Sequence, residues 1–500
     1  MLYYELLQNN IISARWHKYD LYTCWAGRST AIMKRNDQFV LEKIEDSIYL
    51  LPIGQMIADL NKGIRVNETC QFIWEQLERD ISFDELMDKC ASHFGAEDED
   101  IECLRKDIED LIVSLKARGM LEGSRNIFRC GCSLCRNGNP VLAPRFEQYA
   151  CVSQNAKDTK DHEIDTGHYK YVIGGLPVDI YGDDRYLYSS FADFKAESIY
   201  INGSEPVDPN ADGYESNLAM KVYIIDTTKL TGVDELTDSY FDLEAEKVDL
   251  DNNIVSELNN YADAEAGIPE NKKTVLIHHN ELTVLEYPTK YVLFFHELSG
   301  VEELHMSKDG TYAHFFCDKP SDEVRFNLFH AIRMAFLVFA LNRGKVMLHS
   351  CSILFNDRVW AFSGPSGTGK STHCEIWKRL FDTPIVNGDL NLLGLEDGIP
   401  YVYGTPWCGS SQIYENKKRK LGGIILLKQA FDNRLEELSA EKKVLYVQQR
   451  LITSVWDKDS LEKTLRLVSE IVKNIYVKRL YCNKEDEAGY LIHDDIIKSL

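Results

Sequence analysis

"SCSILFNDRVWAFSGPSGTGKST", residues 350–372, decides how this chain is read. Two apolar runs, "SCSILF" and "RVWAFS", flank Asn356-Asp357, residue types that tolerate the left-handed backbone of a tight turn. The stretch therefore predicts a β-hairpin. Immediately after its second arm, Gly364-Pro365-Ser366-Gly367-Thr368-Gly369-Lys370-Ser371 spells a complete G-x-x-x-x-G-K-[ST] loop. Glycines let successive backbone N–H groups turn inward around phosphate oxygens, and the helix that follows presents its positive end. The lysine of such a loop reaches the β and γ phosphates, and its last hydroxyl holds Mg²⁺. Gly364, Ser366, Gly367, Thr368, Gly369, Lys370, Ser371 and Thr372 are thus the expected contacts to ATP or GTP.

A hairpin ahead of the loop separates this chain from the usual P-loop NTPases, whose preceding strand sits in a parallel sheet. The next acidic strand also comes early: "TPIVNGDLNLL" puts Asp389 only 19 positions after Lys370. His349 stands on the strand before the hairpin turn. Together, His349 in "LHSCSILF", "GPSGTGKS" and Asp389 resemble the core of the HPr kinase/phosphorylase and phosphoenolpyruvate carboxykinase-like group. The likeness extends through "YGTPWCGSSQIYENKKRKLGGIILL" (403–427) and "NIYVKRLYCN" (474–483). It covers roughly residues 170–500. The resemblance implies phosphoryl transfer from a nucleoside triphosphate, with Mg²⁺ held by Ser371 and Asp389, and a Ser or Thr hydroxyl as acceptor. His349, Lys370, Asp389, Arg419 and Lys420 are the expected catalytic residues, the last two neutralising the transferring group from the basic run 417–420. The chain departs from the kinase pattern at one place. Two consecutive aspartates are expected on the acidic strand, and here Gly388 precedes Asp389, so either His349 or Asp389 itself takes the proton-accepting role, or the site binds nucleotide and is slow or silent.

Upstream, 170–320 consists of short alternating runs ("KYVIGG", "LPVDIYG", "KVYIID", "KYVLFFHEL", "YAHFFC") that predict an antiparallel β-rich layer. Residues 205–272 are acidic and turn-rich, as expected of an insertion. "DEVRFNLFHAIRMAFLVFALNRG" (322–344) is apolar almost all round and predicts a buried helix. "CGCSLCRNGNP" (130–140) reads as a linker. Its Cys130, Cys132 and Cys135, with Cys151, offer four thiolates to a structural Zn²⁺ or an iron–sulfur cluster, or remain free thiols.

Nearer the start, "QFVLEKIEDSIYLLPI" (38–53) predicts two short strands around a charged turn. Three helical patterns follow. The first places Cys70, Ile73, Trp74 and Leu77 on one face. The second is opened by Ser82 with Glu85 three residues on, the spacing of a capping box. The third carries Ile101, Leu104, Ile108, Leu111, Ile112 and Leu115 and stops at Gly119. The N-x-T-x-x-x-I-W helix from Asn67 to Trp74, "SFDELMDKCASHF" and the closing Gly-x-Leu resemble the PqqD family of peptide-recognition elements, over roughly residues 38–123. That resemblance implies a leader peptide added as a strand to a sheet edge at Tyr49, Leu50 and Leu51 and packed against Ile108, Ile112 and Leu115. The same apolar residues would otherwise fill the domain's own core.

The organisation expected is an α+β, α/β multidomain chain. A segment of unknown role (1–37) leads a winged-helix-like module (38–124), the cysteine-bearing linker (125–169), a β-rich layer (170–344) and a P-loop domain with a mixed sheet (345–500). Lys and Arg number 56 and Asp and Glu 79, so the formal charge is 56 − 79 = −23. That excess argues against nucleic acid as partner. The start "MLYYELLQNN" has no signal-peptide pattern and "MAFLVFAL" (334–341) is too short to span a bilayer, so a cytoplasmic protein with reduced thiols is expected. A homo-oligomer is left open. The function expected is a kinase of a ribosomally made precursor peptide. A kinase of a folded carrier protein, or a nucleotide-binding peptide chaperone without turnover, are the alternatives.

Overall fold

The computed structural model describes residues 32–53, 64–96, 101–121, 135–136, 139–140, 167–196, 218–229, 274–278 and 281–499. The chain forms two compact units, Met1–Gly131 and Cys132–Leu500.

The first unit has strands β1 (Ile32–Met33), β2 (Phe39–Ile44), β3 (Ser47–Pro52), β4 (Ile64–Val66) and β5 (Ile81–Ser82). Its helices are α1 (Glu68–Gln76), α2 (Phe83–Phe94) and α3 (Ile101–Ala117). The caps act as their residue types dictate. Asn67 Oδ1 accepts from the Cys70 N–H at 2.9 Å, and Ser82 Oγ accepts from the Glu85 N–H at 3.2 Å. Gly95 takes a left-handed conformation (φ 63°) to end α2. Ile73, Trp74, Leu77, Leu86, Cys90, Ile108, Ile112 and Leu115 share one core.

That core corrects the peptide-binding residues. The sheet order is β2-β3-β4, so Tyr49 and Leu50 are hydrogen-bonded into a central strand and present no edge. Leu51 pairs with Val40 and is buried. Ile108, Ile112 and Leu115 are at most 2% exposed and pack inside the unit. The period-matched residues fill the core; among the described residues the outer strands of this sheet are β2 and β4. Ile112→Ala is accordingly expected to destabilise the chain by about 2–5 kcal/mol, the range for emptying a buried aliphatic site. Chemical denaturation checks this. A stable variant that only loses peptide affinity would restore Ile112 to a groove.

The second unit contains β6 (Cys135–Arg136), β7 (Asn139–Pro140), β8 (Gly167–Ile173), β9 (Leu176–Gly182), β10 (Met220–Asp226), β11 (Thr274–His278), β12 (Leu282–Glu286), β13 (Lys290–Phe295), β14 (Val301–Ser307) and β15 (Tyr312–Cys317). Strands β8–β15 form one eight-stranded sheet in the order β11-β12-β13-β14-β15-β10-β9-β8. The layer is mixed rather than antiparallel, because β10 runs parallel to both β9 and β15. Strand β10 lies within 205–272, so part of that stretch is sheet rather than insertion.

Helix α4 (Asp322–Leu341) is opened by Ser321, whose Oγ accepts from the Val324 N–H, and is largely buried. It is apolar and long enough to cross a membrane, but most of it packs inside the fold. A single core joins α4 and the β8–β15 sheet to Met347, Leu390, Leu392, Tyr403, Trp407 and Trp456.

The remaining elements are β16 (Lys345–Phe355), β17 (Arg358–Ser363), α5 (Lys370–Phe381), β18 (Ile385–Asn387), β19 (Leu390–Glu396), β20 (Ile399–Tyr403), β21 (Lys418–Gln429), β22 (Arg434–Glu437), α6 (Ala440–Gln448), β23 (Leu451–Ile452), α7 (Lys458–Lys473), β24 (Tyr476–Cys482) and α8 (Asp486–Ser499). They build a nine-stranded mixed sheet. Strand β16 is antiparallel to β17 and β19, whereas β17 and β24 run parallel to β21.

Candidate active site

The expected hairpin is present. Ser350 pairs with Ser363 through to Phe355 with Arg358, and Asn356 and Asp357 turn the corner at φ 50° and 56°. The second arm delivers the chain into the glycine-rich loop, and α5 begins at Lys370 behind Gly369 in a left-handed conformation (φ 100°). Gly364 admits no side chain: a Cβ there would lie 2.5 Å from Thr368 Oγ1 and 3.1 Å from the Leu427 carbonyl. Thr368 Oγ1 donates to the Pro365 carbonyl at 2.7 Å, and Gln429 Nε2 donates to the Gly367 carbonyl at 3.0 Å, so the loop is braced from β21. Ser366 and Gly367 at the loop tip and Ser371 and Thr372 on the first turn of α5 are exposed. Lys370 is buried, its Nζ 3.2 Å from the Gly364 carbonyl oxygen. Burial pushes its pKa down against the pull of Asp389.

His349 and Asp389 meet. The His349 ring Nε2 lies 3.1 Å from Asp389 Oδ1, with each side chain about one third exposed. Partial burial would raise the Asp389 pKa, but the hydrogen bond and charge of His349, then Lys370 and Arg333, hold it below the ordinary carboxylate range. A buried polar network fixes both backbones. The Ser350 N–H donates to the Asp389 carbonyl at 2.8 Å, and Ser363 Oγ donates to the His349 carbonyl at 2.7 Å. Asn387 Oδ1 accepts from the N–H groups of Asp389 and Leu390, each at 2.9 Å. Ser352 Oγ accepts from the Asn387 N–H and donates to Asn391 Oδ1, and Asn391 Nδ2 donates to the Ser350 carbonyl. Strand register therefore brings the loop, His349 and Asp389 to one place.

The stretch "GTPWCGSS" folds over that place. Trp407 is buried and its Nε1 donates to the Phe329 carbonyl at 3.1 Å. Gly409, at φ 62°, lies against Asp389: a Cβ there would be 3.0 Å from the carboxylate. A Cβ at Gly388 would lie 1.9 Å from Ser411 Oγ and 2.5 Å from Ser411 Cβ. A side chain at 388 therefore requires Ser411 to shift, which gives the departure from a paired aspartate a steric reason.

Arg419 and Lys420 are not at the site. Lys420 pairs with Tyr401, and the residue of β21 opposite Ser363 is Leu426. Six residues of strand put Lys420 roughly 20 Å along β21 from the start of the loop. Arg419 is paired with Glu415 at 2.7 Å, and Lys418 with Glu396 at 2.6 Å. The basic run reads as catalytic in sequence because spacing does not reveal which end of a strand it occupies.

The other charged and titratable groups near the centre come from elements with no motif. Arg333 and His330, one turn apart on α4, both interact with Asp389. Burial, then Arg333, push the His330 pKa down to about 4, so its imidazole is neutral near pH 7. Arg450, between α6 and β23, interacts with Lys370, and its carbonyl accepts from the His349 N–H at 2.9 Å. A charged residue within the apolar helix "FHAIRMAF" was the one available signal.

Cys130, Cys132 and Cys151 lie outside the described residues, and Cys135 is described only as backbone of β6. Among the described residues, Cys70, Cys90, Cys317, Cys351, Cys374, Cys408 and Cys482 are buried free thiols, and no three His, Cys, Asp or Glu side chains group as a metal cluster.

Residues 50–121, from β3 through α3, match the PqqD family, Coenzyme PQQ synthesis protein D. No curated protein matches the chain. Among solved structures, the Hpr(Ser) kinase/phosphatase from Coxiella burnetii is similar, at 11% identity over 31% of this chain and 97% of that one. The TM-score is 0.19, which carries no argument about fold.

Proposed function

We propose that the chain is a nucleoside-triphosphate-dependent kinase that phosphorylates a Ser or Thr hydroxyl of a ribosomally made precursor peptide, recruited through its leader by the PqqD-matching unit. The observation that carries the reading is the convergence of the glycine-rich loop, with Lys370 at the mouth of α5, on a His349–Asp389 pair 3.1 Å apart. The backbone N–H groups of the loop and Lys370 hold the phosphates. A hydroxyl, Ser371, and one carboxylate, Asp389, are a sparse donor set. That suits Mg²⁺, which keeps several waters and takes its other ligands from phosphate oxygens. When bound, it neutralises charge on the β and γ phosphates.

In the transfer, the bond from the γ-phosphorus to the β,γ-bridging oxygen breaks, and its electron pair leaves with the nucleoside diphosphate. The acceptor oxygen bonds to phosphorus and its proton passes to the Asp389–His349 pair. Arg333 beside Asp389 favours its ionised form, so it is ready to accept. A leader strand would add to β2 or β4, the outer strands of the first unit's sheet. Tethering it raises the effective concentration of the attached acceptor.

The test is mass spectrometry of the candidate precursor peptide after incubation with the protein, Mg²⁺ and ATP or GTP. A gain of about 80 Da, the mass of a transferred phosphoryl group, that disappears in Lys370→Ala supports the kinase. Nucleotide binding with no such gain on peptide or carrier protein favours the chaperone without turnover, the reading to which glycine in place of a carboxylate at 388 lends itself.

A further inference from the structure

We propose that two arginines outside the loop, Arg450 and Arg333, grip the terminal phosphate of the bound nucleoside triphosphate, Arg450 from the Lys370 side and Arg333 from the Asp389 side. The inference rests on the kinase reading above and adds to it the source of the cationic charge that the basic run cannot supply.

Arg450 is anchored on the catalytic strand. Its carbonyl takes the His349 N–H, and the next two residues, Leu451 and Ile452, pair with Leu348 and Met347 of β16. Its charged neighbours are Lys370 and Arg479, both cations. Arg479 already has Glu436 at 3.3 Å. Among the described residues Arg450 has no carboxylate at ion-pair distance. A half-buried guanidinium crowded by like charge costs free energy until an anion arrives.

Arg333 is held as firmly from the other side. Helix α4 is tied to the loop over Asp389 by Trp407 Nε1 on the Phe329 carbonyl, and to the segment after β23 by Ser454 Oγ on the Met334 carbonyl at 3.4 Å. Among the described residues the buried Arg333 Nε has no hydrogen-bond partner. Its one described charge partner is Asp389, which it shares with His349 and Lys370. Leaving His349 aside, Lys370, Arg333 and Arg450 against Asp389 give 3 − 1 = +2 at the centre of a chain of net charge −23. A local excess of that sign, with the buried Arg333 Nε lacking an acceptor among the described residues, is a prebuilt site for an anion. Guanidinium groups match phosphate oxygens bidentately and stabilise the charge that spreads over the γ-phosphoryl oxygens as the bridging bond breaks.

If both arginines touch the γ-phosphate alone, they distinguish ATP from ADP. The experiment measures ATP and ADP binding to the full chain by calorimetry with Mg²⁺, for the wild type and for Arg450→Met, Arg450→Lys, Arg333→Met and Arg333→Lys. Each Met variant is expected to weaken ATP about 10- to 100-fold, the worth of a charged hydrogen bond. ADP affinity should move less than about twofold, and each Lys variant should recover part of the loss. Thermal unfolding of the same samples reports folding, and the charge-retaining Lys variants stay informative if a Met variant unfolds. A wild type that prefers ATP, with that preference intact in both Met variants, overturns the inference and leaves the kinase reading standing. A wild type that binds neither nucleotide overturns both. A collapse of the preference in Arg419→Met instead would return the role to the basic run.

Discussion

Asp389→Asn is expected to lower phosphoryl transfer to the peptide by about 10³-fold or more in kcat, the scale on which preorganised charge and a positioned proton acceptor contribute together. The substitution is isosteric, and the backbone that carries the residue is fixed independently by Asn387 Oδ1 and by the Ser350 N–H. The loss would therefore be chemical rather than conformational. The carboxylate is held ionised below its ordinary range by His349, Lys370 and Arg333, so the wild-type rate should show no acid limb from Asp389 near neutrality. Removing the negative charge also leaves Lys370 and Arg333 uncompensated. ATP binding without Mg²⁺ should then tighten in the variant, while the gain that Mg²⁺ brings to binding should shrink. Single-turnover kinetics and binding with and without Mg²⁺ check both halves. A variant within tenfold of the wild-type rate would remove Asp389 from the reaction and leave His349 as the proton acceptor.

Local order was legible wherever neighbouring residues carry the instruction themselves. The β16–β17 hairpin followed from Asn356-Asp357, and the helix starts at Asn67 and Ser82 followed from capping chemistry. The burial of α4 follows from its all-round apolar pattern, which by itself gives Arg333 no place in the site. What stayed hidden depends on which strands become neighbours. Nothing in "SIYLLP" says that β3 will lie between β2 and β4, so Tyr49 and Leu50 looked available for pairing. Nothing in "NKKRKL" says that this end of β21 is the one farther from the loop. The parallel pairing of β10 and the arrival of Arg450 beside His349 are likewise products of long-range register, for which a sequence window holds no signal. The His349–Asp389–Lys370 centre was legible because loop, hairpin and acidic strand are sequential, and their short connections leave little choice of arrangement.

Gly388→Asp, the change that would restore two consecutive aspartates, is expected to damage the protein rather than improve it. Position 388 is not in a glycine-only backbone conformation, so the obstacle is space. The new Cβ would fall 1.9 Å from Ser411 Oγ and 2.5 Å from Ser411 Cβ. Ser411 cannot swing aside freely, because its hydroxyl donates to the Cys408 carbonyl at 2.7 Å and accepts from the Ile413 N–H at 3.2 Å. The Gly388 N–H itself donates to the Ile413 carbonyl at 3.1 Å, closing the same turn from below. Gly388→Ala isolates the clash and should cost about 1–3 kcal/mol, as overpacking usually does. Gly388→Asp adds a second carboxylate beside Asp389 and should cost more. Ser411→Gly makes the argument decisive. Alone it loses the turn's hydroxyl bonds, about 1 kcal/mol or so. Combined with Gly388→Ala it removes both atoms in the way, so the double variant should be more stable than the two single costs sum to. A double-mutant cycle from denaturation midpoints measures that coupling. Zero coupling would mean that the turn yields without strain and that steric closure is not why glycine stands here. Strong coupling would mean that the turn which seats Gly409 against Asp389 and a side chain at 388 exclude each other, so a catalytic carboxylate there could be regained only by rebuilding the cover over the site.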